Sequence, residues 1–201
     1  IIVDKNAKEL NGDDILFVLA RDKFENQITL DSKGVVGTIM TNKGLENSLT
    51  EMGVDLVRSD VGDRYVLQKL EELNWDLGGE QSGHIISLDS SNSGDAIIAA
   101  IKFLEAYICS NLPLDQLLKP FVKYPQILTN IKTDNSEKVL KNKNFKNLLK
   151  EISLNLKKYD GRVNVRASGT EPLIRIMVES KNEKETKAAS TILSNFVKEL
   201  T

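Results

Sequence analysis

Arg166-Ala167-Ser168-Gly169-Thr170-Glu171-Pro172, followed by Leu173-Ile174-Arg175, gathers two guanidinium groups, two hydroxyls and a glycine in one short stretch. Those groups suit a phosphate dianion: arginine forks give bidentate contact, hydroxyls donate, and a glycine turn leaves backbone N–H groups open. A second polar stretch, Gly78-Gly79-Glu80-Gln81-Ser82-Gly83-His84, sets a carboxylate, a hydroxyl and the chain's single histidine between glycines. Glycines permit φ > 0 and let Glu80, Ser82 and His84 turn toward one point, where they suit hydrogen bonds to vicinal hydroxyls or an amine of a sugar. His84 is the only side chain whose reference pKa lies near neutrality. A lone histidine at a strand start is more often packed than functional, but the adjacent Glu80 and Ser82 favour a functional position. A third stretch, Val61-Gly62-Asp63-Arg64, stands at a strand–helix junction, where Gly62 and a helix N-terminus could face a ligand or Asp63 could be only a cap.

The elements that position these groups follow from periodicity. Residues 162–165 and 173–178 alternate as strands on either side of the phosphate loop, a hairpin. A period of two puts Arg162, Asn164 and Arg166 on one face and Val163 and Val165 on the other. Arg175 lies about 7 Å along its strand from Leu173, so both arginines can converge on the loop mouth. A surface hairpin whose arginines pair with Glu171 and Glu179 is the alternative. From residue 34 onward, strands at 35–40, 54–57, 75–79 and 84–88 alternate with helices. One runs over 43–52 behind an Asn42 cap, one follows Val61-Gly62-Asp63-Arg64, and one runs over 96–108 behind Ser93-Gly94-Asp95. That order predicts a three-layer α/β domain. Residues 127–131 read as a strand, the Lys- and Asn-rich stretch 135–147 as a solvated loop and helix surface, and 148–156 as a helix. After the hairpin, Asn182-Glu183-Lys184-Glu185 reads as a capping-box variant that opens a last helix. The second half is therefore a small α+β domain.

Upstream, residues 1–3 read as a strand, and Gly12-Asp13-Asp14 opens a helix with an acidic first turn. The chain starts inside a strand with no Met, so it reads as a piece of a longer protein. Hydrophobic content of 40% with 28% charged residues is ordinary for a globular chain, and 201 residues allow one large or two small domains. A formal net charge of −2 gives no electrostatic support to nucleic-acid binding. No run of about 18 apolar residues marks a membrane span, and no signal peptide is visible. The single Cys109 falls in an apolar helical stretch, excludes an intramolecular disulfide, and reads as a buried, inert thiol in a reducing compartment.

Taken together, Gly79-Glu80-Gln81-Ser82-Gly83-His84 resembles the sugar-recognition loop of the α-D-phosphohexomutases, and Arg166 through Arg175 resembles their C-terminal phosphate-binding loop. Order and spacing agree over essentially the whole chain. The Glu-Gln-Ser form of the sugar loop, with Val61-Gly62-Asp63-Arg64-Tyr65-Val66 upstream and Ser93-Gly94-Asp95 downstream, is most similar to the bacterial branch acting on glucosamine phosphate. The branch acting on mannose and glucose phosphates typically has Met where Gln81 stands.

The resemblance implies a four-domain enzyme, of which residues 1–29 would be the end of domain 2, 30–126 domain 3 and 127–201 domain 4. It implies an isomerase that interconverts glucosamine 6-phosphate and glucosamine 1-phosphate through a phosphoserine and a bisphosphate intermediate, with a cytoplasmic location. Glu80 and Ser82, with Gly62, Asp63 and Arg64, would bind the sugar, and His84 would assist as acid or base. Arg166, Ser168, Gly169, Thr170 and Arg175 would grip the phosphate that is not being transferred. The family's phosphoserine and Asp-rich metal loop lie upstream of such a region, and Asp4, Asp13 and Asp14 lack the alternating spacing to replace that loop. Mg²⁺ would therefore be held by the missing part, with no metal residue in this chain. The expected partners are a hexosamine phosphate and the missing N-terminal domains, with no nucleic acid or membrane. A mannose or glucose phosphate substrate, or a non-catalytic sugar-phosphate module, are the alternatives.

Overall fold

The computed structural model describes residues 2–25, 34–169 and 171–200. It divides into two compact units, residues 1–123 and 124–201.

In the first unit, β1 (Ile2–Val3) pairs antiparallel with β2 (Glu9–Leu10), which leads into α1 (Gly12–Glu25). Then follow β3 (Gly34–Thr38), α2 (Lys43–Glu51), β4 (Asp55–Ser59), α3 (Asp63–Leu73), β5 (Leu77–Gly79), β6 (Ile85–Ser87), α4 (Ala96–Cys109) and the short α5 (Leu114–Leu117). The four-stranded sheet has the order β4-β3-β5-β6; β3 is parallel to both its neighbours, and β6 returns antiparallel from β5. Alternation along each strand builds two cores. Val35, Leu77 and Ile85 pack on one face with Leu16 and Phe17 of α1, Leu45 and Leu49 of α2, and Phe103 of α4. Val36 and Ile86 pack on the other with Val66 and Leu70 of α3. The unit is three-layered as expected.

Helix α1 departs from expectation. The sequence reading gives residues 1–29 to a preceding domain, yet Leu16, Phe17, Val18 and Ala20 are buried in the same core as β3, α2 and α4. Its apolar face is long enough to cover the sheet, so it belongs to the first unit. The expected boundary at residue 30 lies outside the described residues. The division between the units, at 123/124, lies close to the expected 126/127.

In the second unit, β7 (Gln126–Lys132), α6 (Ser136–Lys141), α7 (Lys143–Lys157), β8 (Arg162–Ala167), β9 (Leu173–Glu179) and α8 (Glu183–Leu200) follow in order. The sheet is β7-β9-β8, antiparallel throughout. Ile174, Ile176 and Val178 of β9 pack with Phe145, Ile152 and Leu156 of α7 and Leu193 and Val197 of α8. The Lys- and Asn-rich stretch forms two helices rather than loop and helix, because the Asn142 side chain caps α7 at Asn144 and Phe145. At the start of α8, Asn182 Oδ1 accepts from the N–H groups of Lys184 and Glu185. The return half of a capping box is replaced: Ser180 Oγ takes the Asn182 N–H, while Glu185 accepts from Asn155.

Cys109 is exposed, contrary to the expected buried thiol. Its position on α4 is turned away from the Ala99, Phe103 and Ala106 stripe that enters the core.

Candidate functional site

In the first unit the β5–β6 turn brings Glu80, Ser82 and His84 together. The Glu80 side chain is buried, and its Oε1 accepts the Gly62 N–H at 2.9 Å. Its Oε2 lies 3.5 Å from His84 Nδ1, which is also 3.3 Å from Ser82 Oγ. His84 itself is 68% exposed, so the imidazole stands open to a ligand rather than packed. Gly62, the cap of α3, holds φ 131° and ψ 135°, a conformation that side chains rarely adopt. Only there does its N–H reach the buried carboxylate, which ties the β4–α3 junction to the β5–β6 turn. Asp63 turns back on its own helix, its Oδ1 accepting the Arg64 N–H at 2.7 Å. Arg64 stacks on Tyr65, its guanidinium carbon 4.4 Å from the ring centroid. Of the expected sugar-binding residues, Glu80, Ser82 and Gly62 converge with the expected acid/base helper His84, while Asp63 and Arg64 make local contacts.

The start of α1 supports the same turn, a role the sequence reading missed. Asn11 Oδ1 accepts from the N–H groups of Asp13 and Asp14, and Asp14 Oδ2 accepts from the Asn11 N–H at 2.8 Å, a complete capping box. Gly12 donates its N–H to the Gln81 carbonyl at 2.9 Å. A Cβ on Gly12 would lie 1.8 Å from the Glu80 carbonyl oxygen, so no other residue fits without moving the turn. Asp13, fully buried, accepts through Oδ2 from Gln81 Nε2 and from the Asn42 N–H, each at 3.1 Å. One carboxylate therefore links the sugar-loop turn to the start of α2. The only sequence signal was the Gly12-Asp13-Asp14 run, and its partner lies almost 70 residues away.

In the second unit the hairpin register makes Arg166 and Arg175 direct cross-strand partners. Asn130 on β7 pairs with Arg175 in turn, so Asn130, Arg175 and Arg166 form one row across the sheet. Asn130 is exposed and was not foreseen, because it reaches the row only through the β7–β9 pairing. The loop is pinned at its base: Ser168 donates its N–H to the Leu173 carbonyl, and the Pro172 carbonyl accepts the Thr133 N–H, both at 2.9 Å. Gly169 has open space where a Cβ would stand. Thr170 lies outside the described residues. Arg175 pairs with Glu171 at 3.3 Å, and Arg162 pairs with the buried Glu179, which also accepts from Gln126. The surface pairings of the alternative reading are therefore present, but Glu171 is 57% exposed and such a pair is weak and exchangeable. Two guanidinium groups opposed on one strand pair repel each other. An anion at the loop mouth would attract both and offset that repulsion.

No group of three or more His, Cys, Asp or Glu side chains among the described residues could hold a metal ion. Among the described residues no helix is long and apolar enough to cross a membrane.

The chain thus joins an α/β/α unit that carries a glycine-bounded Glu/Ser/His turn to a small α+β unit that carries an arginine-lined loop. The family model "Phosphoglucomutase/phosphomannomutase, alpha/beta/alpha domain III" matches residues 11–124, and "Phosphoglucomutase/phosphomannomutase, C-terminal domain" matches 128–190. The chain belongs to this family, the α-D-phosphohexomutases. It is 41% identical over 199 residues to a phosphoglucosamine mutase of Proteus mirabilis and 40% identical to that of Photorhabdus laumondii, in each case over 98% of this chain and 44% of the relative. A phosphoglucosamine mutase of Legionella pneumophila is 39% identical over 200 residues. The chain therefore spans under half the length of these relatives. Aspergillus fumigatus N-acetylphosphoglucosamine mutase shares the fold, with a TM-score of 0.81 at 17% identity over 98% of this chain and 45% of that one. A further structure of that enzyme, in complex with GlcNAc-6P and magnesium, gives a TM-score of 0.77 at 19% identity.

Proposed function

We propose that this chain is the sugar- and phosphate-holding part of a phosphoglucosamine mutase, an isomerase that interconverts glucosamine 6-phosphate and glucosamine 1-phosphate. The observation that carries the reading is the opposed Arg166–Arg175 pair at the mouth of a pinned polar loop. Two like charges side by side favour a bound anion, and the relatives that match nearly the whole chain are named phosphoglucosamine mutases.

Phosphoryl transfer is catalysed mainly by positioning and by charge stabilisation. In this reading Arg166 and Arg175, with Ser168, Gly169 and Thr170, grip the phosphate that is not reacting. Glu80 and Ser82 take hydroxyls or the amine of the sugar, and Gly62 fixes the Glu80 carboxylate. His84, exposed beside both, moves a proton at the reacting oxygen. The remaining chemistry belongs to the preceding domains: a phosphoserine, and Mg²⁺ to offset phosphate charge. The exposed thiol of Cys109 suits a reducing, cytoplasmic setting. The test is turnover of glucosamine, glucose and mannose 6-phosphates by the full-length protein. Preference for glucosamine 6-phosphate supports the assignment; preference for mannose or glucose 6-phosphate would reassign the branch.

A further inference from the structure

Helix α4 is apolar on two sides. Ala99, Phe103 and Ala106 enter the core of the first unit. On the opposite side Ile97 is 73% exposed, Ile101 59%, Leu104 54% and Ile108 69%. Steps of four, three and four residues put these four side chains in one narrow stripe along the whole helix. Ala96 and Ala100 are exposed on its flank, small enough to let another backbone approach closely. A helix that is apolar all round is a buried helix, and an exposed stripe of this extent marks an interaction surface.

The rim says what kind of surface. Lys102 is engaged by Asp89 at 2.9 Å, and Glu105 is the only exposed charged residue of the helix. Such a face offers nothing to an anionic ligand or lipid headgroup. It fits another apolar protein surface.

We propose that the Ile97-Ile101-Leu104-Ile108 face is the seat of the preceding domains of the same polypeptide. The curated relatives carry more than half of their length outside the region this chain matches, while the matched region accounts for domain III and the C-terminal domain. That part of the polypeptide is of domain size and tethered, so it occupies an adjacent apolar face at high effective concentration, ahead of any second copy. The proposal does not depend on which sugar phosphate is the substrate.

The test is thiol labelling of the full-length protein, carrying Cys109→Ser and Ile101→Cys, with N-ethylmaleimide and peptide-resolved mass spectrometry. The native protein is expected to label at position 101 at least about tenfold more slowly than the same protein in urea, independently of protein concentration. Equal native and unfolded rates would overturn the proposal, because the face would then be open. Protection that disappears on dilution would overturn it in favour of a second copy. Should Ile101→Cys fail to fold, Ile97→Cys probes the same stripe with the same outcomes.

Discussion

Arg166 and Arg175 stand opposite each other on neighbouring strands, so their like charges repel and together favour a bound anion. Removing one guanidinium relieves the repulsion but loses a charge-assisted bidentate contact of roughly 1.5–3 kcal/mol. Arg175→Ala in the full-length protein is therefore expected to raise KM for the sugar phosphate by about 10- to 150-fold. Arg175→Lys should recover little of it, since an ammonium cannot bridge two phosphate oxygens in the plane. An unchanged KM removes Arg175 from the phosphate site. His84→Ala should act differently, reducing kcat by roughly 100-fold with a smaller effect on KM. At this scale the sequence was informative wherever the signal was local. The hairpin pattern placed both arginines on the loop, and the glycine spacing brought Glu80, Ser82 and His84 together. It was silent on Asn130 and Asp13, whose neighbours arrive from other elements. Asp63 and Arg64, both exposed, make contacts only within their own first turn.

At the scale of elements, α1 is the piece whose role periodicity could not disclose. Its helical pattern was plain, but its packing into the core of the first unit, which brings Gly12 against the Glu80 carbonyl, was not. Gly12→Ala must push the turn aside, and overpacking of this kind costs about 2 kcal/mol. In the full-length protein the expected result is a Tm lower by roughly 4–8 °C, with a raised KM. A lowered Tm with unchanged KM would make α1 a scaffold without influence on the site.

A charge network also ties α1 to α4. Lys23 reaches Asp76 at 2.6 Å and Asp89 at 3.2 Å, while Lys102 and Ser87 hold Asp89 at 2.9 and 2.8 Å. Burial opposes ionisation of Asp89, but the Lys102 and Ser87 hydrogen bonds and the Lys23 charge outweigh it and hold the carboxyl well below the usual range. A depressed native pKa stabilises the fold above the unfolded value of 3.8 and is lost as pH falls below it. Asp89→Asn should cost about 1 kcal/mol at pH 7, a value scaled to a partly exposed network. The difference from the parent should shrink in urea titrations at about pH 3. A pH-independent difference would point to packing instead.

For the whole molecule, the proposed reading has this chain hold the substrate, with the reacting groups on the preceding domains. In that reading each unit contributes binding groups, the β5–β6 turn in the first and the β8–β9 loop in the second. The 201-residue chain alone is accordingly expected to show no mutase turnover and only weak binding of glucosamine 6-phosphate in calorimetry. Turnover by the isolated chain would contradict that expectation; tight binding would favour a free-standing binding module. The exposed α4 stripe and Cys109 show why burial was the least legible property. Sequence alone marks a helix as apolar, but what covers it is set by chain that lies elsewhere.

The strand order β7-β9-β8 has a consequence for how the molecule is made. The middle strand of that sheet is the last to be synthesised, so β7 leaves the ribosome well before its only partner exists. At ordinary elongation rates β7 waits roughly 2–10 s, its N–H and C=O groups unpaired. The polar Gln126, Thr129, Asn130 and Lys132 distributed along it make that interval safer against pairing with another nascent chain. Arrival of β9 ends the wait and completes the Asn130–Arg175–Arg166 row in the same event. The opposed arginine pair is thus among the last features this sheet acquires.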